Sequence, residues 1–347
     1  CRGVMYYDAA NTTEFATSLQ AKKSTSTECP RKVFVPVNDG RLVAVNADTG
    51  KACSDFGQNG EVNLQEFMPY AYPGGYNPTS PGVVSGTTVV IAGSVTDNHS
   101  NKEPSGVIRG YDVNTGKLLW VFDTGAADPN AMPGQDTEFV HNSPNAWAPL
   151  AYDSKLDIVY VPTGVGTPDI WGGDRTELKE RYANSMLAIN ATTGKLVWHF
   201  QTTHHDLWDM DVPSQPSLAD IQDKSGQTVP AIYVLTKTGN AFVLDRRNGQ
   251  PIVPITEKPV PQTVKWGPQT KGEFYSKTQP FSDFDLAPKD KLTDKDMWGA
   301  TMFDQLMCRV KFKRLNYDGI YTPPSENGTL VFPGNLGVFE WGGMSVN

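Results

Sequence analysis

The sequence has no apolar run close to the roughly 20 residues that a helix needs to cross a bilayer, and it has no cluster of basic residues. Its formal net charge is −8 at pH 7, which argues against a nucleic-acid-binding surface. Only four cysteines occur in 347 residues, and none has the Cys-x-x-Cys spacing of a zinc or thioredoxin-like site. Helical periodicity is weak as well, with its best candidate at "TELKERYANSMLA", residues 176–188.

The four cysteines are Cys1, Cys29, Cys53 and Cys308. An even number permits two disulfides and favours an oxidising compartment. Cys29 and Cys53 flank one predicted pair of strands, so these two residues are positioned to form a disulfide.

What the chain does contain is glycine and proline, 32 and 26 residues respectively, as expected for many short strands joined by turns. One pattern occurs four times: a strand, a turn that ends in glycine, and a second strand. The four copies are Gly40–Cys53, Gly106–Phe122, Asn184–Phe200 and Gly239–Pro254, and their turn glycines are Gly50, Gly116, Gly194 and Gly249. These turns predict hairpins in which the glycine has a positive φ.

Further strands are predicted between the hairpins, where short segments are rich in Val, Ile, Tyr and Thr. They are Thr87–Val95, Leu156–Gly164, Ala231–Gly239 and Gly328–Gly334. Repeated sheets of about four strands indicate an all-β chain with a β-propeller architecture. A β-sandwich would also account for the strands, but it would not account for the recurring hairpin.

The hairpin "DVNTGKLLW" resembles the tryptophan-docking motif of pyrroloquinoline quinone (PQQ) dehydrogenases, in which a tryptophan of one blade packs against the next blade. Trp120 and Trp198 match that tryptophan, whereas the first and last hairpins lack it and are expected to dock less typically. Longer stretches resemble the membrane-bound glucose dehydrogenase branch, which also includes quinate dehydrogenases. Among them are "NSPNAWAP", "TPDIWGGDR", "HHDLWDMDVP", "DMWGATMFDQLMCRV" and "LVFPGNLGVFEWGG", and the resemblance runs almost end to end.

The resemblance implies an eight-bladed propeller in the full protein, of which residues 1–347 are a partial domain covering roughly half. It also implies an N-terminal membrane anchor and C-terminal blades outside this chain. The propeller would then face the periplasm from the bacterial inner membrane.

Asp209 matches the family's catalytic base, which removes the proton from the substrate hydroxyl. A carboxylate beside a desolvated cofactor suits this role, since burial and nearby charge tune its pKa. Without the resemblance, Asp206, Asp209 and Asp211 would be interpreted as an acidic turn, and Asp206 and Asp211 remain structural candidates. The adjacent residues His204 and His205 would point to opposite faces of a strand, so packing is a better interpretation for them than metal binding.

The resemblance also implies a hard cation, Ca²⁺ or Mg²⁺, bound by oxygen ligands. Asp97 and Asn98 match the proposed ligand pair of the family, and Thr167 matches a further ligand that also touches the cofactor. Judged from sequence alone, an Asp-Asn pair after a strand is equally typical of a plain turn.

Two further residues match positions that contact the quinone, and a third lies in a region that is near the cofactor funnel in the family. Trp147 matches a tryptophan that lies flat against the ring, although most tryptophans are core residues. Lys237 matches a lysine at the quinone carbonyls, where an ammonium stabilises developing negative charge, although it also suits an ordinary hairpin. Trp341 lies in "PGNLGVFEWGG", a glycine-rich segment without a phosphate-binding pattern, and is a cofactor-side candidate.

The implied activity is PQQ-dependent oxidation of D-glucose to glucono-1,5-lactone, with electrons passed to membrane ubiquinone. The partners are therefore a sugar or polyol substrate and a quinone acceptor, with no nucleic acid. Quinate or shikimate oxidation by the same mechanism is the alternative within the family. A non-catalytic propeller scaffold, such as an outer-membrane assembly factor, shares the hairpin but gives no reason for Asp97, Trp147, Asp209 and Lys237 to occur together.

Overall fold

The computed structural model describes residues 3–10, 28–222 and 225–346. The strands in these ranges are β1 Met5–Asp8, β2 Arg31–Val37, β3 Arg41–Asn46, β4 Glu61–Asn63, β5 Tyr76–Asn77, β6 Val83–Val84, β7 Thr88–Ile91, β8 Ser94–Val95, β9 Ile108–Asp112, β10 Leu118–Phe122, β11 Ala151–Asp153, β12 Ile158–Pro162, β13 Ser185–Asn190, β14 Leu196–Gln201, β15 Ser217–Gln222, β16 Thr228–Leu235, β17 Ala241–Asp245, β18 Ile255–Pro259 and β19 Thr278–Ser282. The helices are α1 Glu177–Glu180, a 3-10 turn Asp294–Asp296 and α2 Met302–Arg314.

The strands form consecutive antiparallel sheets rather than one large sheet. The orders are β1-β2-β3-β4, β10-β9-β7-β6, β11-β12-β13-β14 and β15-β16-β17, with the pairs β18-β19 and β5-β8 beside them. Each larger sheet meets the next through a shared apolar layer, since Phe34 of the first sheet and Ile91 of the second belong to one buried cluster. Stacking of successive small sheets is the architecture of propeller blades, as the sequence predicted.

The four repeated turns have the predicted backbone. Their glycines Gly50, Gly116, Gly194 and Gly249 have φ between +67° and +74°. In each turn the glycine N–H donates to the carbonyl of the residue four positions earlier, at 2.8–2.9 Å. That earlier residue is Asn or Asp, and its side-chain oxygen accepts further backbone N–H groups inside the turn. The polar residue thus satisfies the turn, while glycine provides a conformation that other residues adopt at a cost.

Two tryptophans join neighbouring sheets at these turns. Trp120 Nε1 donates to the carbonyl of Ala191 at 3.0 Å, and Trp198 Nε1 donates to the carbonyl of Arg246 at 3.1 Å. A Cβ atom added to Gly194 would lie 2.5 Å from the Trp120 ring, so only glycine allows this approach. The first hairpin lacks the tryptophan and docks differently, since Gly57 N–H donates to the carbonyl of Thr115 at 2.9 Å.

The predicted disulfide joins Cys29 to Cys53, while Cys308 is free and exposed and Cys1 lies outside the described residues. Among the helices that the structure describes, none is long and apolar enough to cross a membrane.

The sequence interpretation was wrong about helices. The predicted helix at 176–188 ends at Glu180, and its second half is β13, because that half is buried between two strands. The longer helix α2 was missed, although Thr301 and Asp304 form a capping box at its start.

The predicted strand Gly328–Gly334 is also absent from the described strands and forms only an isolated bridge between Thr329 and Asn316. Its ends do not suit a ladder, because Gly328 has a φ of +91° and Pro333 has no N–H to donate.

Candidate active site

The centre of the candidate site is an ion pair between Asp209 and Lys237. Asp209 lies in the connection between β14 and β15, residues 202–216, which is called the Asp209 loop below. Lys237 follows directly after β16 in a turn, and its Nζ lies 2.9 Å from Asp209 Oδ1. Both side chains are largely buried, with 6% of Lys237 and 20% of Asp209 exposed. The backbone of Asp209 is left-handed, with a φ of +60°, a conformation that costs energy in a non-glycine residue.

The surroundings place the pKa of Asp209 near neutrality. Burial and the charge of Asp211 raise the pKa of Asp209 to about 7, against the opposing effect of Lys237. Burial alone would lower the pKa of Lys237, but Asp211 and Asp209 raise it overall. Lys237 therefore stays charged over the pH range in which the Asp209 carboxyl group exchanges a proton. A carboxyl group that titrates near neutral pH has the property required of a general base.

Trp147 lies beside this pair. The Lys237 Nζ is 5.8 Å from the centre of the Trp147 ring, and Trp147 Nε1 donates to Asp211 Oδ2 at 2.7 Å. The hydroxyls of Thr79 and Ser80 donate to the Trp147 carbonyl at 3.1 and 2.5 Å. Trp147 is thus fixed both at its backbone carbonyl and at its ring nitrogen. A ring held in this way suits a flat surface for an aromatic ligand.

The other two aspartates of the Asp209 loop have structural contacts. Asp206 is 1% exposed and accepts hydrogen bonds from the backbone N–H groups of Trp208 and Met210. Asp211 accepts from Trp147 and from the N–H of Val165 at 3.0 Å. Asp206 shapes the loop and Asp211 orients the indole, and both place negative charge near Asp209.

The predicted cation ligands are Asp97, Asn98 and Thr167, and the charge of Asp211 acts on the first of them. Asn98 N–H donates to Thr167 Oγ1 at 3.1 Å, so these two residues are in contact. Asn98 Oδ1 accepts from the N–H of Asp169 at 2.9 Å and keeps a second lone pair. Asp97 is exposed at the surface and receives no hydrogen bond from the described residues in the structure. Desolvation of its carboxyl group by neighbouring atoms and the charge of Asp211 nevertheless raise the pKa of Asp97 to about 6, while Lys237 opposes the shift.

Asp169 is a site residue that the sequence interpretation missed. Burial, together with the charges of Asp211, Asp97 and Asp209, raises its pKa to about 9. Its Oδ2 accepts from Asn98 Nδ2 at 3.1 Å. The available signal was its position two residues after Thr167 within the motif "TPDIWGGDR".

This arrangement fits a bound cation in its chemistry. Carboxylates that raise one another's pKa values form a site where a positive charge is stabilised, and carboxylate, amide and hydroxyl oxygens are ligands of Ca²⁺ and Mg²⁺. In the part of the chain that the structure describes, no group of three or more His, Cys, Asp or Glu residues is placed to hold a metal ion. The predicted set contains one carboxylate, from Asp97, so a cation here needs further oxygens from a cofactor or from solvent.

The two histidines of the loop face different partners, as expected for packing residues. His204 Nε2 lies 3.0 Å from Glu257 Oε1, on the partly exposed side of the loop. His205 Nδ1 lies 3.0 Å from Glu180 Oε1, and its Nε2 lies 2.8 Å from Glu273 Oε1, in a buried position. The two imidazoles therefore do not converge on one ion.

Trp341 is 57% exposed, so the structure gives it no enclosed position. Its segment does reach the site through the backbone, where Val338 N–H donates to the Lys237 carbonyl at 2.9 Å. The charge of Glu340 also contributes to the raised pKa of Lys237. The role of Trp341 at the cofactor therefore stays a prediction.

The family profile described as "PQQ: Glucose/ethanol/alcohol dehydrogenase, beta-propeller domain" matches residues 1–347. The chain is 92% identical over its full length to quinoprotein glucose dehydrogenase A of Acinetobacter calcoaceticus. It is 44% identical over 99% of its length to a quinate/shikimate dehydrogenase (quinone) of Acinetobacter baylyi. In both cases it spans 43% of the relative, so the chain covers about two fifths of the length of these proteins.

Among solved structures, quinohemoprotein alcohol dehydrogenase from Comamonas testosteroni matches 72% of this chain and 36% of its own, with a TM-score of 0.53 and 28% identity. The profile, the sequence identities and this structural match agree on one family. The chain belongs to the PQQ glucose/ethanol/alcohol dehydrogenase family, and it matches the β-propeller domain of that family.

Proposed function

We propose that the full-length protein oxidises D-glucose to glucono-1,5-lactone with PQQ and passes the electrons to ubiquinone. One observation carries this proposal: Asp209, Lys237 and Trp147 converge, with a base of pKa about 7 beside a charged lysine and a fixed indole. A scaffold protein has no need for a carboxylate and an ammonium buried together beside such a surface.

PQQ, when bound, supplies the two-electron acceptor. Asp209 accepts the proton of the C1 hydroxyl at its carboxylate oxygens. Lys237 holds the loop carboxylate in place through Oδ1 and supplies positive charge where negative charge develops. Trp147 provides the flat apolar surface, and Asp211 fixes its orientation through the indole N–H.

The cation of this proposal is Ca²⁺ or Mg²⁺, with Asp97, Asn98 and Thr167 as ligands from this chain. The upward pKa shifts of Asp97 and Asp169 support a position for positive charge there. Trp341 is proposed as a contact on the cofactor side.

Glucose is favoured over quinate because identity to the relative named glucose dehydrogenase is 92%, against 44% for the one named quinate/shikimate dehydrogenase. We further propose that the propeller faces the periplasm from the bacterial inner membrane. The disulfide between Cys29 and Cys53 supports an oxidising compartment.

The experiment is dye-linked oxidation by the full-length protein, reconstituted with PQQ and either Ca²⁺ or Mg²⁺, with glucose and quinate offered separately. The wild type is expected to turn over glucose, and Asp209→Asn is expected to lower kcat by about 10²- to 10⁴-fold, the range for loss of a general base. PQQ binding, measured by equilibrium dialysis, should be retained in the variant.

Turnover of quinate alone would overturn the substrate and keep the mechanism. Full activity in Asp209→Asn would overturn the base. Absence of PQQ binding by the wild type would favour the scaffold.

A further inference from the structure

His205 is held by carboxylates at both of its ring nitrogens. Glu180 Oε1 lies 3.0 Å from Nδ1, and Glu273 Oε1 lies 2.8 Å from Nε2. The exposed fractions of the three side chains are 4% for His205, 19% for Glu180 and 2% for Glu273. Neutral imidazole carries one N–H, so hydrogen bonds to both carboxylates require the imidazolium.

The two glutamates come from different connections of the chain. Glu180 ends α1, within the connection between β12 and β13, residues 163–184, which also contains Thr167 and Asp169 and is called the Thr167 connection. Glu273 lies in the connection between β18 and β19, residues 260–277, which is called the Glu273 connection. His205 itself is in the Asp209 loop, four residues before Asp209. One side chain therefore links three connections.

Additional contacts join the same three connections, and this group of contacts around His205 is called the junction below. Glu273 Oε2 accepts from the N–H of Gly172 at 2.7 Å, and Arg175 Nη1 donates to the carbonyl of Asp206 at 2.5 Å. Phe274 stacks on the imidazole, with ring centres 3.7 Å apart. A Cβ atom on Gly172 would lie 2.6 Å from His205 Cε1, so the junction is closely packed.

We infer that His205 is a positioning residue that bridges Glu180 and Glu273 and thereby holds the Asp209 loop in place against Lys237. The left-handed backbone of Asp209 needs such external support, because a non-glycine residue does not keep φ near +60° without it. This inference rests on the proposed function only for the role of Asp209, since the junction itself is a property of the fold.

The charged groups that face His205 are Glu180, Glu273 and Arg175, whose Nη1 lies 3.6 Å from Glu180 Oε1. The carboxylate of Asp206, next to it in the chain, is turned to Asn184 and to backbone N–H groups. Burial alone would lower the pKa of His205, but the hydrogen bonds to Glu180 and Glu273 raise it overall. The junction is therefore complete below this raised pKa of His205 while both glutamates are ionised, and it is lost as the pH rises through that pKa.

The neighbouring histidine provides a matched control. His204 has the same residue type and also contacts a glutamate, Glu257, but its side chain is 34% exposed and it contacts neither Glu180 nor Glu273 in the structure. The variants His205→Asn and His204→Asn would be made in the full-length protein, reconstituted with PQQ and Ca²⁺. Asparagine retains a donor near the Nδ1 position and loses the contact to Glu273.

Hydrogen–deuterium exchange would be measured on peptides covering 260–277, together with kcat and KM for glucose. His205→Asn is expected to raise exchange in these peptides about tenfold and to lower kcat about tenfold, with KM changed less than threefold. His204→Asn should leave both quantities within twofold of the wild type. Equal exchange and equal kcat in the two variants would overturn the inference.

Glu273→Gln keeps the shape of the junction and removes one charge, so it remains informative if His205→Asn does not fold. Its exchange in 260–277 should increase at a lower pH than in the wild type, while Glu257→Gln leaves that pH unchanged. The same response in both glutamine variants would contradict the inference. Exchange does not depend on turnover, so loss of the proposed activity in the wild type would be recognised separately.

Discussion

The tryptophan contacts at the repeated turns, called the rim below, differ from those at the candidate active site, although both use a tryptophan N–H as a donor. At the rim, Trp120 donates to a neutral carbonyl and packs on Gly194, and the N–H groups of Thr193 and Gly194 in that turn donate to Asn190. At the site, Trp147 donates to Asp211, a carboxylate that raises the pKa values of Asp209 and Asp169.

The difference teaches where stability and chemistry reside in this fold. The rim repeats one satisfied contact from sheet to sheet, which stabilises the stack. The site brings like charges together with a strained backbone at Asp209, an arrangement that persists only because the surrounding sheets hold it. Three pairs of variants test this contrast.

The largest effect is expected from tryptophan truncation. Trp120→Ala should lower the free energy of unfolding by about 3–5 kcal/mol, because it removes a buried indole from the contact between two sheets. Trp147→Ala should cost about 1–2 kcal/mol, since its ring is partly exposed, but it should weaken PQQ binding at least about tenfold. Urea unfolding of the protein without PQQ measures the free energy of unfolding, and equilibrium dialysis measures PQQ binding. Equal losses of stability would remove the distinction between rim and site.

The second comparison uses two glycines at the same turn position. Gly50 and Gly194 both have φ of +71°, but a Cβ atom meets nothing within 4 Å at Gly50 and the Trp120 ring at Gly194. Gly50→Ala should cost about 1–2 kcal/mol for the left-handed backbone alone. Gly194→Ala should cost about 1–3 kcal/mol more for overpacking. Equal urea midpoints for the two variants would show that the tryptophan contact adjusts without cost.

The smallest effect is a shift in pH dependence. Asp211→Asn removes a charge that raises the pKa of Asp209, so that pKa should fall from about 7. The base is active when deprotonated, and the acid limb of kcat/KM should therefore move to lower pH. Trp147→Phe is the control, because it removes the hydrogen bond to Asp211 without changing charge. An unchanged acid limb in Asp211→Asn would contradict the assignment of Asp209 as the titrating base.

The sequence predicted the features that depend on local chemistry. The turn glycines and the disulfide follow from residue type and spacing, the docking tryptophans follow from the resemblance, and the structure confirms each. The resemblance also identified Asp209, Lys237 and Trp147, which the structure brings together, although their catalytic roles stay predictions.

What could not be predicted depends on contacts between distant segments. Asp169 was missed because its raised pKa arises from burial and from carboxylates of other connections. The partners of His205 lie 25 residues before it and 68 residues after it, and no local pattern announces them. Helix α2 was missed for another reason: it buries none of its residues, so no apolar stripe facing a core was available as a signal.

The docking contact at the rim also bears on how such a protein can change over generations. The joint consists of one indole, one backbone carbonyl and one glycine, so it does not depend on which side chains occupy the connections. The turn glycines are 66, 78 and 55 residues apart, yet the turns have the same geometry. The two tryptophan joints link turns whose glycines are 78 and 55 residues apart, so connections of different length are compatible with this coupling, while the first hairpin docks through Gly57 instead. The connections between the strands can therefore change in length and in side chains while these joints are kept. The stacked sheets can in this way support sites for different substrates.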